Sequence, residues 1–373
     1  MKIAVFYGGK SCEHGVSIVT GVSVASALYA DGMEVVAVYI DRNGRWWSVK
    51  NYTDISAYEN GKLKKTRACV YAGDNGLYIG RKRVSIDCAV LCTHGAGGED
   101  GCLQGTLSLC GIAFTGTGVL GSAVGMNKAF CKTVFSACGL NTVDGFTVHK
   151  RDVATVKEIL LQAKMFGYPL IVKPCSLGSS IGVSVAWDES ELISALDLAF
   201  CYDESVLIER KLNVFSEFNC AVLFDGENYL ASEVEKPVSS DEILSFADKY
   251  ERGGFKGEGL REFPAIISDN LRAEIQSSAI TAFRSLGGSG IARVDFLFDG
   301  TTLYINEINT IPGSLALYLF PEYRYNESVG ECAVLYRLID TAKTRRESEK
   351  SLRYEYFSHI NFAKNGAKIS KSN

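Results

Sequence analysis

The sequence predicts an α/β protein whose first lobe contains a parallel sheet and whose last lobe is α+β. An apolar run over residues 2–7 is followed by Gly8 and Gly9 and then by apolar residues at helical spacing. A second apolar run over residues 35–40 completes a strand–helix–strand unit with parallel strands. Beyond residue 205, short strand patterns separated by turns replace this alternation.

A third strand of the first lobe is predicted over residues 87–92. A polar, glycine-rich segment follows it directly, at residues 93–101. Open parallel sheets bind ligands beyond the carboxyl ends of their strands. We therefore expect the first lobe to have a binding site at this loop.

Changes of pattern divide the rest of the chain. The glycines of residues 116–125 give way to a helical stretch at 126–132, which places a boundary close to residue 120. A strand at residues 168–174 and a loop at 175–182 follow. The predicted units are an N-terminal substrate lobe, a central lobe, a C-terminal lobe and a basic tail without assigned function, at residues 1–120, 121–212, 213–345 and 346–373.

Composition excludes several classes of protein. A chain of 373 residues with 47% hydrophobic and 22% charged residues can bury a large core. The N-terminal apolar run is too short for a signal peptide, and no segment is long enough to cross a membrane, so a cytoplasmic location is expected. The net charge of -4 argues against a nucleic-acid partner.

The twelve cysteines stand singly in apolar segments. Such a distribution favours reduced, buried thiols over a disulfide framework. Cys88 and Cys92 lack a second pair or a nearby histidine cluster, so zinc is not expected there.

Two apolar strands each carry two polar residues at i and i+2: Arg293 with Asp295, and Glu307 with Asn309. This spacing places each pair on one face of its strand. A three-residue connection at 299–301 would set Arg293 opposite Glu307, whereas a two-residue turn would put Glu307 on the other face. Two carboxylates and an amide oxygen suit Mg²⁺. A structural ion pair between Arg293 and Glu307 is an equal alternative.

A lysine and a Gly/Ser loop offer groups suited to phosphate. Lys173 ends an apolar strand, and residues 178–182 supply backbone N–H groups and hydroxyls. Lys128, Glu209 and Glu217 could complete a nucleotide cleft. The alternative is a flexible connection beside ordinary surface charges.

Glu13 and His94 lie in loops that follow predicted strands. A carboxylate beside a helix N-terminus can orient a substrate ammonium or simply cap the helix. A histidine in a glycine-rich loop can act as an acid or base, or can be a hydrogen-bonded structural residue.

In this order, the segments resemble the D-alanyl-D-alanine ligase family of ATP-grasp enzymes, from Met1 to about residue 320. The resemblance rests on residues 94–101, on Lys173 with the loop at 178–182, and on residues 306–313. It implies a three-lobed ATP-grasp fold with a Rossmann-like N-terminal lobe, in which ATP lies between the central and C-terminal lobes.

The resemblance also implies roles for individual residues. Those implied to bind ATP are Lys128, Lys173, Ser180, Glu209, Leu212, Glu217 and Lys249. Those implied to hold two Mg²⁺ ions, for which Mn²⁺ can substitute, are Asp295, Glu307 and Asn309. Those implied in catalysis are Glu13, Ser179 and Tyr250, linked by hydrogen bonds, and Arg293 and the backbone of Gly313, which would stabilise an oxyanion. His94 would lie near the carboxylate of the first amino acid.

The chain departs from the family pattern at Tyr318, where a serine usually binds the carboxylate of the second substrate. A phenol is larger and would reshape that pocket. The pair Lys249 and Tyr250 is typical of enzymes that use an amine acceptor. The expected reaction is therefore ligation of D-alanine to D-alanine for peptidoglycan by a homodimer, with D-serine or another acceptor as an alternative. A non-catalytic ATP-binding regulatory protein of this fold is a third possibility.

Overall fold

The computed structural model describes residues 1–151, 156–237 and 261–353, which form three large sheets and a short two-stranded one. The first sheet has seven strands in the order β6-β5-β4-β3-β2-β1-β7. Its strands are β1 (Lys2–Gly8), β2 (Glu34–Ile40), β3 (Trp46–Val49), β4 (Lys65–Val70), β5 (Leu77–Ile79), β6 (Lys82–Val84) and β7 (Cys88–Leu91). Its helices are α1 (His14–Ala30), α2 (Ser56–Glu59) and α3 (Cys102–Leu109).

The predicted parallel sheet is confirmed, because β1 pairs in parallel with β2 on one side and with β7 on the other. The remaining strand pairs of this sheet are antiparallel. Strand β1 lies at the centre of the parallel part, and its residues 3–7 are fully buried. The loops that carry Glu13 and His94 consequently emerge side by side at the carboxyl ends of neighbouring strands.

Two helices, α4 (Val119–Met126) and α5 (Lys128–Ala137), lead into the second sheet. Asn127 separates them, and its side chain caps α5 by accepting a hydrogen bond from Phe130 N (3.1 Å). The second sheet is antiparallel, in the order β10-β9-β11-β8. Its elements are β8 (Gly145–His149), α6 (Val156–Phe166), β9 (Leu170–Pro174), β10 (Ser184–Ala186), α7 (Glu189–Ala199) and β11 (Ser205–Arg210).

The third sheet is also antiparallel, in the order β14-β13-β12-β15-β16. Its elements are β12 (Ser216–Phe224), β13 (Tyr229–Pro237), β14 (Arg261–Glu262), α8 (Asp269–Ser285), β15 (Ile291–Phe298) and β16 (Leu303–Asn309). A 3₁₀ segment follows (Gly313–Leu319), then β17 (Arg324–Tyr325), β18 (Ser328–Val329) and α9 (Glu331–Lys350), which continues past residue 345.

The register between β15 and β16 corrects one expectation. The connecting loop has four residues, since Phe298 pairs with Leu303, and by itself it would turn Glu307 to the opposite face from Arg293. A bulge at Asn306 shifts the register by one residue. Asp295 therefore lies opposite Glu307, and Arg293 lies opposite Asn309. The four residues do share one face, but neither the three-residue nor the two-residue connection occurs, and the residue opposite Arg293 is Asn309 instead of Glu307.

Candidate functional site

Of the four polar residues on β15 and β16, three form one hydrogen-bonded group, and Glu307 lies opposite its central member, Asp295. Arg293 donates from Nε to Asp295 Oδ1 (2.7 Å) and from Nη2 to Asp295 Oδ2 (2.8 Å). Asn309 Nδ2 donates to Asp295 Oδ2 (3.1 Å). Two carboxylates and an amide thus lie side by side, with a guanidinium against one of the carboxylates. The carboxylates and the amide suit a cation, and the guanidinium suits developing negative charge.

Lys128 connects this group to the central lobe. Its ammonium lies 3.0 Å from Glu307 Oε2 and donates to the carbonyl of Leu177, in the loop after β9. Burial alone would lower the pKa of Lys128, but the neighbouring Glu307 carboxylate outweighs it and raises that pKa. The lysine therefore stays charged, which suits contact with a phosphate group.

Glu209 holds two lysines inside the central lobe. Its side chain is 3% exposed, and it pairs with Lys173 through one oxygen and with Lys132 through the other. Burial would raise the pKa of Glu209, but the two ammonium groups hold it below the ordinary value. Lys173 also donates to Asn306 Oδ1 (3.0 Å), so the bulge in β16 reaches the central sheet. Sequence reasoning missed Lys132, whose only signal is its place four residues after Lys128.

Glu13 meets the Gly/Ser loop across the cleft. Ser179 Oγ donates a hydrogen bond to Glu13 Oε1, and both side chains are buried. Ser179 and Ser180 have φ of 55° and 58°, a left-handed conformation that non-glycine residues adopt at a cost. The loop is thereby bent so that its hydroxyl and backbone face the N-terminal lobe.

His94 and Glu99 occupy the buried floor of the glycine-rich loop. His94 Nε2 lies 3.1 Å from Thr20 Oγ1, which also accepts from Ser314 N (3.4 Å). Burial lowers the pKa of His94 to about 4, which keeps the ring neutral. Glu99 accepts from Gly95 N (2.9 Å) and, across the lobes, from Ile311 N (3.2 Å).

Burial also raises the pKa of Glu99 to about 8, with a further contribution from the Glu13 carboxylate. Glu99 was missed as a site residue, because its contact with Ile311 joins segments far apart in the sequence. Together with Glu13, Lys128, Glu307 and Asn309, Glu99 lines one cleft. The predicted residues of three separate lobes therefore converge there.

The segment after Gly313 is wound left-handed. Ser314, Leu315 and Ala316 have φ of 50°, 51° and 48°, and the last two are buried in the core of the N-terminal lobe. Left-handed backbone costs about 1–2 kcal/mol per L-residue, so this packing has to compensate for it. The winding brings Tyr318 over the third sheet, where its hydroxyl donates to Glu235 Oε2 (3.0 Å).

A second, larger cleft of about 490 Å³ lies where the ends of the second and third sheets meet. Leu212 lines it, together with Lys211 and Tyr304. Glu217 lies on β12, two residues before Asn219, and Asn219 is opposite Asp295. Glu217 therefore lies on the same face of the sheet as Asp295, Glu307 and Asn309. Lys249 and Tyr250, also predicted to belong to the site, lie outside the described residues.

The donor set fits Mg²⁺ shared with phosphate. Within residues 1–151, 156–237 and 261–353, no group of three or more His, Cys, Asp or Glu side chains could hold a metal ion alone. Mg²⁺ usually takes one or two carboxylates and obtains its other ligands from water and substrate phosphates. Asp295, Glu307 and Asn309 match that requirement. All twelve cysteines are free thiols, as predicted, but only six of them are buried and four are exposed.

The low pKa of His94 predicts acid sensitivity. Between pH 6.5 and about 4, the unfolded chain binds a proton that the folded chain excludes. The free energy of unfolding should therefore fall as the pH drops through this window. Below about pH 4, His94 should cause no further decrease. Across the window, wild type should lose about 1–3 kcal/mol more than His94→Gln, measured by urea denaturation. Parallel curves for the two proteins would contradict a buried, neutral His94.

Two family models match the chain: D-ala D-ala ligase N-terminus over residues 2–117, and D-ala D-ala ligase C-terminus over residues 134–340. A D-alanine–D-alanine ligase of Thermoanaerobacter sp. (strain X514) is 36% identical over 351 residues, covering 91% of this chain and 96% of that protein. The D-alanine–D-alanine ligase of Chloroherpeton thalassium (strain ATCC 35110 / GB-78) is 33% identical and covers 94% of this chain and 98% of its own length.

Solved structures of related ligases have a similar fold. The D-alanine–D-alanine ligase from Coxiella burnetii superposes with a TM-score of 0.77 at 29% identity, covering 94% of this chain and 96% of that chain. The VanG D-Ala:D-Ser ligase from Enterococcus faecalis superposes with a TM-score of 0.75 at 28% identity, covering 91% of this chain and 99% of that chain.

A parallel-sheet lobe joined to two antiparallel sheets, with lysines and carboxylates converging between them, defines an ATP-dependent ligase of the ATP-grasp class. The expected fold is confirmed. The chain belongs to the D-alanine–D-alanine ligase family, whose members are ADP-forming ligases. No helix in the described parts of the chain is long and apolar enough to span a membrane.

Proposed function

We propose that this protein joins two molecules of D-alanine at the expense of ATP and supplies the dipeptide for peptidoglycan. The supporting observation is the convergence in one cleft of Glu13 from the first lobe, Lys128 from the helix before the central sheet, and Glu307 from the third sheet. Each type of group suits one partner in the reaction: a carboxylate for an ammonium, an ammonium for phosphate, and a second carboxylate for a metal ion.

In the first step, the carboxylate of one D-alanine attacks the γ-phosphorus of ATP, and ADP leaves. Lys128 and Lys173 bind the phosphates, while Leu212 and Glu209 contact the adenine and Glu217 the ribose. Ser180 and Lys249 complete the ATP contacts. Glu209 keeps Lys173 in place, because it holds that ammonium and Lys132 on its two oxygens.

Asp295, Glu307 and Asn309 would hold two Mg²⁺ ions, with Mn²⁺ as a substitute. When bound, the metal neutralises charge on the transferred phosphoryl group. Arg293 and Lys128 already lie against Asp295 and Glu307, so these carboxylates face cationic partners on a common surface.

In the second step, the amine of the second D-alanine attacks the carbonyl of the acyl phosphate, and phosphate leaves. Glu13 orients the ammonium of the first D-alanine, in a chain with Ser179 and Tyr250, and His94 lies near its carboxylate. Arg293 and the backbone N–H of Gly313 stabilise the tetrahedral oxyanion. The amine loses a proton as the peptide bond forms.

ADP release by purified protein with Mg-ATP and D-alanine tests the proposal, with products identified by mass. D-alanyl-D-alanine as the product supports it. ADP release only with D-serine present would favour a second candidate, D-alanyl-D-serine synthesis, to which Tyr318 and the likeness to a D-Ala:D-Ser ligase point. No nucleotide turnover with any amino acid would favour the non-catalytic alternative.

Metal dependence is a further expected result. Chelation with EDTA should abolish ADP release, and Mg²⁺ or Mn²⁺ should restore it. Asp295→Asn should raise the Mg²⁺ concentration for half-maximal activity at least about tenfold, because even outer-shell changes have effects of that size. Asp225→Asn is the matched control, since Asp225 caps the turn between β12 and β13. An unchanged Mg²⁺ requirement in Asp295→Asn would remove that residue from the metal site.

The proposal also includes a cytoplasmic setting, because the ATP that the reaction consumes is made there. It includes a homodimer, which sedimentation of the purified protein tests.

A further inference from the structure

The row of polar residues at the metal site continues across two more strands. Asp295 lies opposite Glu307 on one side and opposite Asn219 of β12 on the other, and Asn219 lies opposite Glu235 of β13. Asn219 Nδ2 donates to Glu235 Oε2 (3.2 Å). Glu235 is only 4% exposed, so the row ends in a buried carboxylate.

Tyr318 and Arg261 both use this carboxylate. The Tyr318 hydroxyl donates to Glu235 Oε2 (3.0 Å), and Arg261 Nη1 lies 3.5 Å from Glu235 Oε1. The guanidinium of Arg261 also stacks over the Tyr318 ring, 4.4 Å from its centroid. Glu235 therefore fixes a phenol and a guanidinium in one arrangement.

This cluster adjoins the proposed oxyanion residue. Burial raises the pKa of Tyr318, and the carboxylate of Glu235 raises it further, while the charges of Arg293 and Arg261 act in the opposite direction. Tyr318 is thus neutral. Arg293 belongs to the neighbouring part of the row, because it pairs with Asp295, which lies opposite Asn219. The family resemblance at residue 318 implies that the carboxylate of the second amino acid binds beside this cluster.

The bond to Glu235 decides what Tyr318 can offer a substrate. A phenol has one proton to donate. In this structure the proton is directed to Glu235, so Tyr318 does not replace a serine hydroxyl as a donor to a substrate carboxylate. A carboxylate entering here also meets the negative charge of Glu235 and needs a cation beside it.

We propose that Arg261 binds the carboxylate of the second amino acid, and that Glu235 and Tyr318 are positioning residues that hold its guanidinium. A guanidinium has five N–H donors in a planar fork that matches a carboxylate, so one contact with Glu235 leaves donors for a ligand. The side chain of Arg261 is 47% exposed and therefore accessible. The inference rests on the proposed ligase function and assigns to Arg261 the task that a serine performs in the family pattern.

A competition between two acceptors tests this role. D-alaninamide lacks the carboxylate, so it cannot be phosphorylated by ATP and can act only as the amine acceptor. As an acceptor it differs from D-alanine only at the carboxylate, the group that Arg261 would bind. With Mg-ATP, D-alanine and D-alaninamide, the ratio of D-alanyl-D-alanine to D-alanyl-D-alaninamide is measured by mass. Arg261→Gln should reduce the wild-type preference for D-alanine about 10- to 100-fold, the loss typical of one charge-assisted contact.

Further variants separate binding from positioning. Tyr318→Phe and Glu235→Gln should reduce the preference less than Arg261→Gln, because they loosen the guanidinium without removing it. Arg261→Lys should retain part of the preference. Arg272→Gln is the matched control. Arg272 pairs with Glu233 (2.7 Å), which lies on β13 like Glu235, but it does not contact Tyr318. The product ratio of this variant should equal that of wild type.

An unchanged ratio in Arg261→Gln would overturn the inference. So would a parallel loss of both dipeptides at an unchanged ratio, since that would indicate damage to the fold or to the first step. If wild type forms neither dipeptide, the proposed function fails and this inference fails with it, an outcome distinct from an unchanged ratio.

Discussion

Replacement of Arg293 by alanine is expected to lower kcat about 100- to 1,000-fold, the usual effect of losing one oxyanion donor. In the proposed reaction the guanidinium acts on negative charge that exists only in the transition state, so the KM for ATP should change little. Initial rates of ADP release, measured at saturating Mg²⁺, provide both constants. Saturating metal is needed because Arg293 also pairs with Asp295 (2.7 Å), a proposed metal ligand.

Two controls identify the cause of such a loss. Arg293→Lys keeps a positive charge without the planar fork and should fall between wild type and Arg293→Ala. Arg272→Ala removes an arginine from helix α8 that pairs with Glu233, and turnover should be retained. If ATP binding and kcat weakened equally in Arg293→Ala, the oxyanion role would be refuted and a structural ion pair would be the better explanation.

The largest effect on stability is expected for Glu209→Gln. This change leaves the ammonium groups of Lys132 and Lys173 inside the central lobe without their shared counter-charge. Removing one partner of a buried ion pair typically costs about 3–5 kcal/mol, because an uncompensated charge remains. Urea denaturation at neutral pH measures the loss.

An exposed pair provides the comparison. Lys164 and Glu189 have side chains that are 59% and 42% exposed, so Glu189→Gln should cost less than about 1 kcal/mol. Adding Lys132→Met to Glu209→Gln removes one of the unpaired cations and should recover part of the stability. Equal losses for Glu209→Gln and Glu189→Gln would show that the buried group is not a charged pair.

Local sequence patterns predicted several elements of secondary structure and the strand faces on which candidate site residues lie. Strand β1, helix α1 and strand β2 follow from hydrophobic spacing alone, because the period of the apolar residues matches the geometry of each element. The faces of β15 and β16 were also predictable, since residues two apart on a strand share a side. Lys173 and the loop at 178–182 could be proposed as phosphate-binding groups because the lysine lies near the end of strand β9 and the loop follows that strand.

Residues that act through distant partners could not be predicted in this way. Lys132 is an ordinary helix residue in the sequence and becomes a site residue only because Glu209 folds onto it. Glu99 acquires its role through a contact with Ile311, and Glu235 through contacts with Tyr318 and Arg261. Each pairing joins segments whose separation along the chain has no fixed relation to distance in space.

The sequence by itself therefore determined the order of the elements, the polar faces of the strands and the family. The tertiary structure decided the register between β15 and β16, because a bulge at Asn306 offsets a four-residue loop. It also decided the left-handed winding of residues 314–316, which no glycine signals, because burial of Leu315 and Ala316 in the first lobe compensates for local strain. Both features depend on packing between lobes, which cannot be predicted from the local amino-acid composition.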